Sequence, residues 1–234
     1  MENDRSAGER NRDRIIAAAA RLLQQGGREA VSTRAVSAAA GVQAPAIYRI
    51  FGDKQGLLDA VAAHGFARHL ESKEGLRPSG DPVEDLRAGW SLNIAFALDN
   101  PALYSLMYGE PRPGATPPAA AAALAFLTSF IHRIAEAGRL HVSEEHAARL
   151  VHAVGTGAAF SLMSMPEHQR DLTVSDMARD AVIAAITTDA PAPATPGPQG
   201  AAIALSAALP KATVLTAGER ALLDEWLDRI VRAG

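Results

Sequence analysis

Within AGVQAPAIYRIFGDKQGLL, residues 40–58, a phenol, a guanidinium and an ammonium follow at close spacing: Tyr48, Arg49 and Lys54. Each donates hydrogen bonds to anionic oxygen. A tyrosine hydroxyl bonds a phosphate oxygen, and an arginine grips a phosphate or the acceptor edge of guanine. Lys54 falls in the first turn of a helix, where backbone N–H groups already favour a phosphate. A lone Tyr-Arg pair on a short helix is ordinarily a solvated face. The glycine turn before this pair and the lysine after it point instead to a surface that holds an extended polyanion.

The elements that must position these side chains are short helices. Residues 10–25 carry Ile15, Ile16, Ala19, Leu22 and Leu23 at helical spacing, and Gly26-Gly27 ends the pattern. Ser32 or Thr33 caps a second helix with Ala35, Val36 and Ala39 on its apolar face, and Gly41 stops it. Helix 44–50 follows, with Pro45 in its first turn and Ile47, Ile50 and Phe51 turned inward. Asp53 caps a fourth helix, buried through Leu57, Leu58 and Val61. Two short helices about a tight turn make a helix-turn-helix. Helix 33–40 would cross a DNA backbone while helix 44–50 enters the major groove. Gln43, Ala44, Pro45, Ala46, Tyr48 and Arg49 are then left to face outward. The APA tip carries no side chain that hydrogen-bonds a base, so it offers apolar contact or close approach.

Residues 10–66 resemble the DNA-binding domain of the TetR family of bacterial transcriptional regulators. The resemblance rests on RIIAAAARLLQQGG, VSTRAVSAAAGV and AIYRIFGDKQGLL. It covers about a quarter of the chain and implies a three-helix DNA-binding head. It also implies phosphate contacts for Thr33, Tyr48 and Lys54, Arg34 within the same surface, and base or backbone contacts around 43–49. The sequence departs from the family at Gln43, where a serine-like cap is usual, and at Ile50, where histidine is common. Gly56 replaces an acidic residue, which on helix propensity alone weakens that helix start by roughly 0.5–1 kcal/mol.

The rest of the chain also reads as helix, so the fold class is all-α. Helical patterns run from about 82, again from Pro101, over 118–137, 143–165 and 173–188, and over 216–232, where Leu222, Leu223, Trp226, Leu227, Ile230 and Val231 make a wide apolar face. The Pro/Ala-rich stretch 189–200 has the composition of a flexible linker. The expected organisation is a head over 1–66 and a helical ligand-binding and dimerisation domain over 67–234. RAGWSLNIAFALDNPALYSLMYGEP is similar to a WHG-like subgroup of TetR C-terminal domains. That similarity implies a pocket for a small-molecule effector, with Trp90, Asn93, Phe96, Tyr104, Met107, Tyr108, Phe126, Phe130 and Met163 as lining candidates. Aromatic stripes at helical spacing are more often core than ligand site. A reader this short covers only a few base pairs, so a homodimer on a near-palindromic double-stranded operator is expected. The family resemblance implies a four-helix interface, and Gly155 and Gly157 suit helix 143–165 to it.

Bulk properties bound the alternatives. Of 234 residues, 48% are apolar, and the net charge is -3. Residues 1–56 hold nine Lys/Arg and six Asp/Glu, hence +3, which leaves -6 for the remainder. A basic head on an acidic body fits an anion-binding module joined to a second task. Zero cysteines exclude disulfides and thiolate metal sites. The seven histidines form no ligand set with a nearby carboxylate, and His64 and His69 are five apart. No nucleophile elbow or phosphate loop supports an enzyme or calls for a cofactor. No apolar run reaches the length of a membrane span and the N-terminus is charged, so a cytoplasmic protein without a membrane partner is expected. A transcriptional activator of the same fold, or a helical small-molecule-binding protein that no longer binds DNA, are the alternatives.

Overall fold

In the computed structural model, residues 2–71, 79–110, 112–188 and 197–232 are described. They form eleven α-helices: α1 (Glu2–Ala30), α2 (Thr33–Ala40), α3 (Ala44–Phe51), α4 (Lys54–Glu71), α5 (Pro82–Asp99), α6 (Pro101–Tyr108), α7 (Pro118–Glu136), α8 (Glu144–Met163), α9 (Leu172–Ile186), α10 (Pro198–Ala208) and α11 (Ala217–Arg232). Among the described residues there is no strand, only an isolated antiparallel bridge between Leu140 and Thr187. The all-α expectation holds.

The chain divides into two compact units, Met1–Leu76 with Phe96–Ala123 and Arg77–Ala95 with Leu124–Gly234. Residues 1–66 lie wholly in the first. Of the inward positions read from sequence, Ile15, Ile16, Ala19, Leu23, Val36, Ile47, Leu57, Leu58 and Val61 are buried, whereas Leu22 is only half-buried, and Ala18, Val31, Ala62 and Phe66 join the core. Helix α1 is broken at Gly26–Gly27, where Gly27 takes φ 65°, and the chain resumes one more turn to Ala30. In α2 the buried positions are Val36 and Ala40, while Ala39 faces solvent. The stripe is thus displaced by one residue from the expected Ala35, Val36 and Ala39.

In the second unit α8 and α9 pack side by side, as do α10 and α11. Trp90 of α5 joins the first pair. Its indole N–H donates to Ser175 Oγ at 3.0 Å in a buried position, and its ring lies 3.4 Å from where a Gly155 Cβ would stand. Gly155 therefore makes room for an indole of its own chain. Gly157 is exposed, with open space around its missing Cβ.

Three expectations change here. Helix α10 lies where the sequence suggests the end of the linker and no further element. Pro198 takes a first-turn position after Gly197, and Ala202, Ile203 and Ala207 are buried. The linker residues 189–196 lie outside the described residues. In α11 only Leu227 is buried, while Leu222, Trp226 and Ile230 are exposed, so half of the wide apolar face is uncovered within the chain. Helix α7 alone among the described helices is long and apolar enough by composition to cross a membrane, with a mean hydropathy of 1.3. Its Ile131, Ile134 and Ala135 are fully buried, while about a third of the span as a whole is buried within the chain.

Candidate nucleic-acid interface

The reader is built by local signals. The Ala35 N–H donates to Ser32 Oγ at 3.1 Å, so Ser32 is the cap of α2 and Thr33 is its first residue. Gly41 ends α2 in the left-handed conformation, φ 62° and ψ 41°, which an L side chain adopts only under strain. The 41–43 turn then delivers Pro45 to the first turn of α3, where its missing N–H costs no hydrogen bond. Ile47 is the buried anchor of α3, with Ile50 and Phe51 half-buried beside it. Truncating a buried side chain of this kind typically removes 2–5 kcal/mol.

Two arginines counted as surface charge brace this motif. Arg14 of α1 donates to the Ala40 carbonyl at 2.6 Å and lies 3.4 Å from that of Gly41. A cation is favourable at these carbonyls because they form the negative end of α2. Arg12 stands over the Phe51 ring at 5.9 Å, within cation–π range. One arginine thus holds the turn before the reader and the other the end of the reader. Sequence reading missed both roles. The signal available was their position on α1, one and three residues ahead of the buried Ile15.

With the helices so held, Tyr48 is 51% exposed, and Arg34, Gln43, Pro45 and Arg49 are exposed. Thr33, Ala44, Ala46 and Lys54 are half-buried. Among the described residues no carboxylate pairs with Arg34, Arg49 or Lys54. The nine residues lie on α2, the turn after it, α3 and the start of α4, with Thr33, Ala44, Ala46 and Lys54 less open than the others. Asp53 caps α4 by accepting the Gly56 N–H at 2.7 Å. That carboxylate occupies part of the helix end proposed for phosphate, which leaves more of the attraction to the Lys54 ammonium. Gly56 has a steric reason that propensity did not suggest. A Cβ there would stand 2.1 Å from the Phe51 carbonyl oxygen.

The effector candidates are divided between the two units. Phe96, Tyr104, Met107 and Tyr108 belong to the first unit, and Trp90, Asn93, Phe126, Phe130 and Met163 to the second. In the first unit Phe96 sits among Phe66 at 5.7 Å, His69 at 4.5 Å and Tyr104 at 6.3 Å, and Tyr104 reaches Tyr108 at 4.9 Å. Burial, with the neighbouring Tyr104, pushes the Tyr108 hydroxyl far above its ordinary range, so it stays a neutral hydroxyl. Phe66 and His69 of α4 lie outside the candidate set, His69 figuring only among the histidines. In the second unit Phe130 packs edge-on to the exposed Phe126 at 4.9 Å, under the Arg133 guanidinium at 4.9 Å. Trp90 is committed to Ser175, and Asn93 and Met163 are half-buried.

Residues 15–61 match the family model described as bacterial regulatory proteins, tetR family. Nothing matches the chain among curated proteins. Solved structures share the fold. A protein from Shewanella sp. PV-4, assigned as a tetR family transcription regulator, is 19% identical with a TM-score of 0.60, covering 76% of this chain and 98% of its own. SmeT of Stenotrophomonas maltophilia, described as the repressor of the multidrug efflux pump SmeDEF, is 23% identical with a TM-score of 0.55, covering 79% and 96%. A TetR-family transcriptional regulator of Haemophilus influenzae is 21% identical with a TM-score of 0.54, covering 78% and 99%. At these identities the likeness is one of fold.

Proposed function

We propose that this chain, which belongs through its head to the tetR family of bacterial regulatory proteins, is a homodimeric, effector-responsive transcriptional repressor. The observation that carries the reading is the braced helix-turn-helix, which turns Tyr48, Arg49 and Arg34 outward with Lys54 beside them. Phosphate contacts by Thr33, Tyr48 and Lys54 set register on the duplex, and Gln43 and Arg49 read base edges. Ala44, Pro45 and Ala46 allow close approach. A chromosomal DNA partner implies a cytoplasmic protein.

A second copy is needed to span successive major grooves. The face that suits it lies on the packed pair α8 and α9. Leu150, Ala153 and Gly157 line one exposed edge, and Val174, Met177 and Ala181 the other, at spacings of three and four residues. Small residues let two backbones approach, and large apolar ones left in water favour association.

The effector is an apolar, aromatic-compatible small molecule. The Phe96, Tyr104 and Tyr108 cluster supports that class, with phenol hydroxyls as the polar handles. The WHG-like resemblance is part of this proposal. An effector that binds better to a form with misplaced heads shifts the population off DNA. The test is selection of genomic fragments by the purified full-length protein, followed by a mobility shift on the recovered sites and on its own upstream region. A salt-dependent complex on a site with two-fold symmetry is expected. Absence of any complex at low salt would overturn the reading.

A further inference from the structure

Four side chains of the first unit, Arg28, Gln55, Asp59 and Arg112, form a hydrogen-bonded chain between the head and the segment after α6, and Glu110 flanks it by charge. At the end of α1, Arg28 donates to Gln55 Oε1 at 3.0 Å and pairs with Glu110 at 2.9 Å. The other end of Gln55 donates to Asp59 Oδ1 at 2.9 Å. Asp59 in turn receives Arg112 through two parallel bonds, 2.9 Å to Oδ2 and 2.8 Å to Oδ1. Glu110, paired with Arg28, also lies near enough to Arg112 to attract it through charge. Gln55 is gripped at both ends, and it is the residue next to Lys54.

We infer that Arg112 is a positioning residue for DNA binding: by clamping Asp59 it fixes Gln55, and with it the first turn of α4 that carries Lys54. The inference rests on the reading of the head as the DNA-binding unit. The pair is part-buried, 21% exposed on each side, and solvent still screens it, so its value lies in direction more than in strength. The bidentate fork fixes an orientation that a lysine at the same place does not. Without Arg112, the Asp59 carboxylate is left with Arg28 as its nearby cation. Arg28 is then drawn from Gln55, and the first turn of α4 loses its brace. Glu110 and Arg112 follow α6 directly, and α6 carries Tyr104 and Tyr108. A ligand that displaces α6 therefore acts on the clamp within a few residues.

The test uses full-length variants and duplex fragments recovered with the wild-type protein. Arg112→Ala and Asp59→Asn should each weaken binding by roughly 3- to 30-fold. The slope of log affinity against log salt should become shallower by about one, as for loss of one phosphate contact. Melting temperature should stay within roughly 4 °C of wild type. The double variant should bind no worse than Arg112→Ala alone, and Arg112→Lys should recover only part of the loss. Wild-type affinity and slope in Arg112→Ala, or additive losses in the double variant, overturn the inference. If Arg112→Ala does not fold, Arg112→Lys and Asp59→Asn decide on the same two readouts. A Lys54→Ala control with a reduced slope keeps the DNA reading intact whatever Arg112 does. A wild-type protein that binds no DNA removes both.

Discussion

The Arg14 guanidinium of α1 donates to the Ala40 carbonyl oxygen at 2.6 Å, across 26 residues of chain. A side chain from the first helix thus closes the end of the second at the turn that launches the reader. Arg14→Gln should lower the stability of the head by about 1.5–3 kcal/mol, the usual net worth of a hydrogen bond made by a charged group. Operator affinity should fall with it, while the salt slope stays that of wild type. A shallower slope, read by fluorescence anisotropy at several salt concentrations, would instead make Arg14 a phosphate contact.

Tyr48 and Lys54 are predicted to behave in the opposite way. Tyr48→Phe removes only a hydroxyl from a half-exposed ring, and Lys54→Ala removes one charge. Neither should change the melting temperature by more than a few degrees. Together they should weaken binding to all sequences alike and reduce the salt slope, since phosphate contacts carry no sequence information. If affinity and slope both persist, the reader has been assigned to the wrong surface. Arg49→Ala, by contrast, should relax base preference at one position of each half-site, measured by competition among operator variants.

Gly56 sets propensity against sterics. Helix propensity predicts that Gly56→Ala stabilises α4 by up to about 1 kcal/mol. The Phe51 carbonyl oxygen stands 2.1 Å from the new methyl, and an overpacked contact of this kind typically costs 1–3 kcal/mol. The net expectation is a lower melting temperature and weaker DNA binding, because relief of the clash must move either the end of α3 or the start of α4. A higher melting temperature in Gly56→Ala would show that propensity wins.

The paired face of α8 and α9 predicts an association defect without a folding defect. Ala153→Arg and Met177→Arg alter side chains exposed in the protomer. Gly157→Ala adds a methyl that meets nothing within 4 Å in its own chain. Circular dichroism should be unchanged for all three. Sedimentation velocity should show the two arginine variants at half the wild-type mass. A wild-type mass in both would move the two-fold axis elsewhere.

Acidification should loosen the second unit through Asp85. Its carboxylate accepts the Ser79 N–H at 2.7 Å and pairs with Arg133 at 2.7 Å. These bonds, the Ser79 N–H first, outweigh burial and hold the group below its ordinary value. The unfolded chain, with an aspartate near 3.9, takes up the proton first as pH falls. The stability contributed by Asp85 is therefore complete above about pH 5 and is lost as pH drops through the lowered folded value. Asp85→Asn should flatten this acid limb in urea titrations run from about pH 6 down to about pH 3. An unchanged limb would assign the acid sensitivity to other carboxylates.

Much of the reader was legible because its signals are local. Ser32, Gly41, Pro45 and the Ile47 anchor each act within four residues of the backbone they shape. What stayed hidden depended on distant partners. Arg12 and Arg14 look like surface charge until Phe51 and Ala40 come beside them. The aromatic candidates follow one another along the chain, and nothing in that order tells which of the two units each belongs to. Helix α10 escaped notice because alanine and glycine next to a proline-rich stretch carry almost no periodic contrast. Trp226 stands on a wide apolar face, and such a pattern gives no sign of how much of it the chain itself covers.

The chain contains two tryptophans, and they differ in surroundings. Trp226 is open to water, whereas Trp90 is sealed against Gly155 and bonded to Ser175. The indole of Trp90 touches both helices of the α8–α9 pair at once. Its emission should lie to the blue of that of Trp226 and resist quenching by iodide. The protein thus carries an unlabelled optical gauge of how α8 and α9 sit against α5, and any molecule that shifts either helix should change its colour.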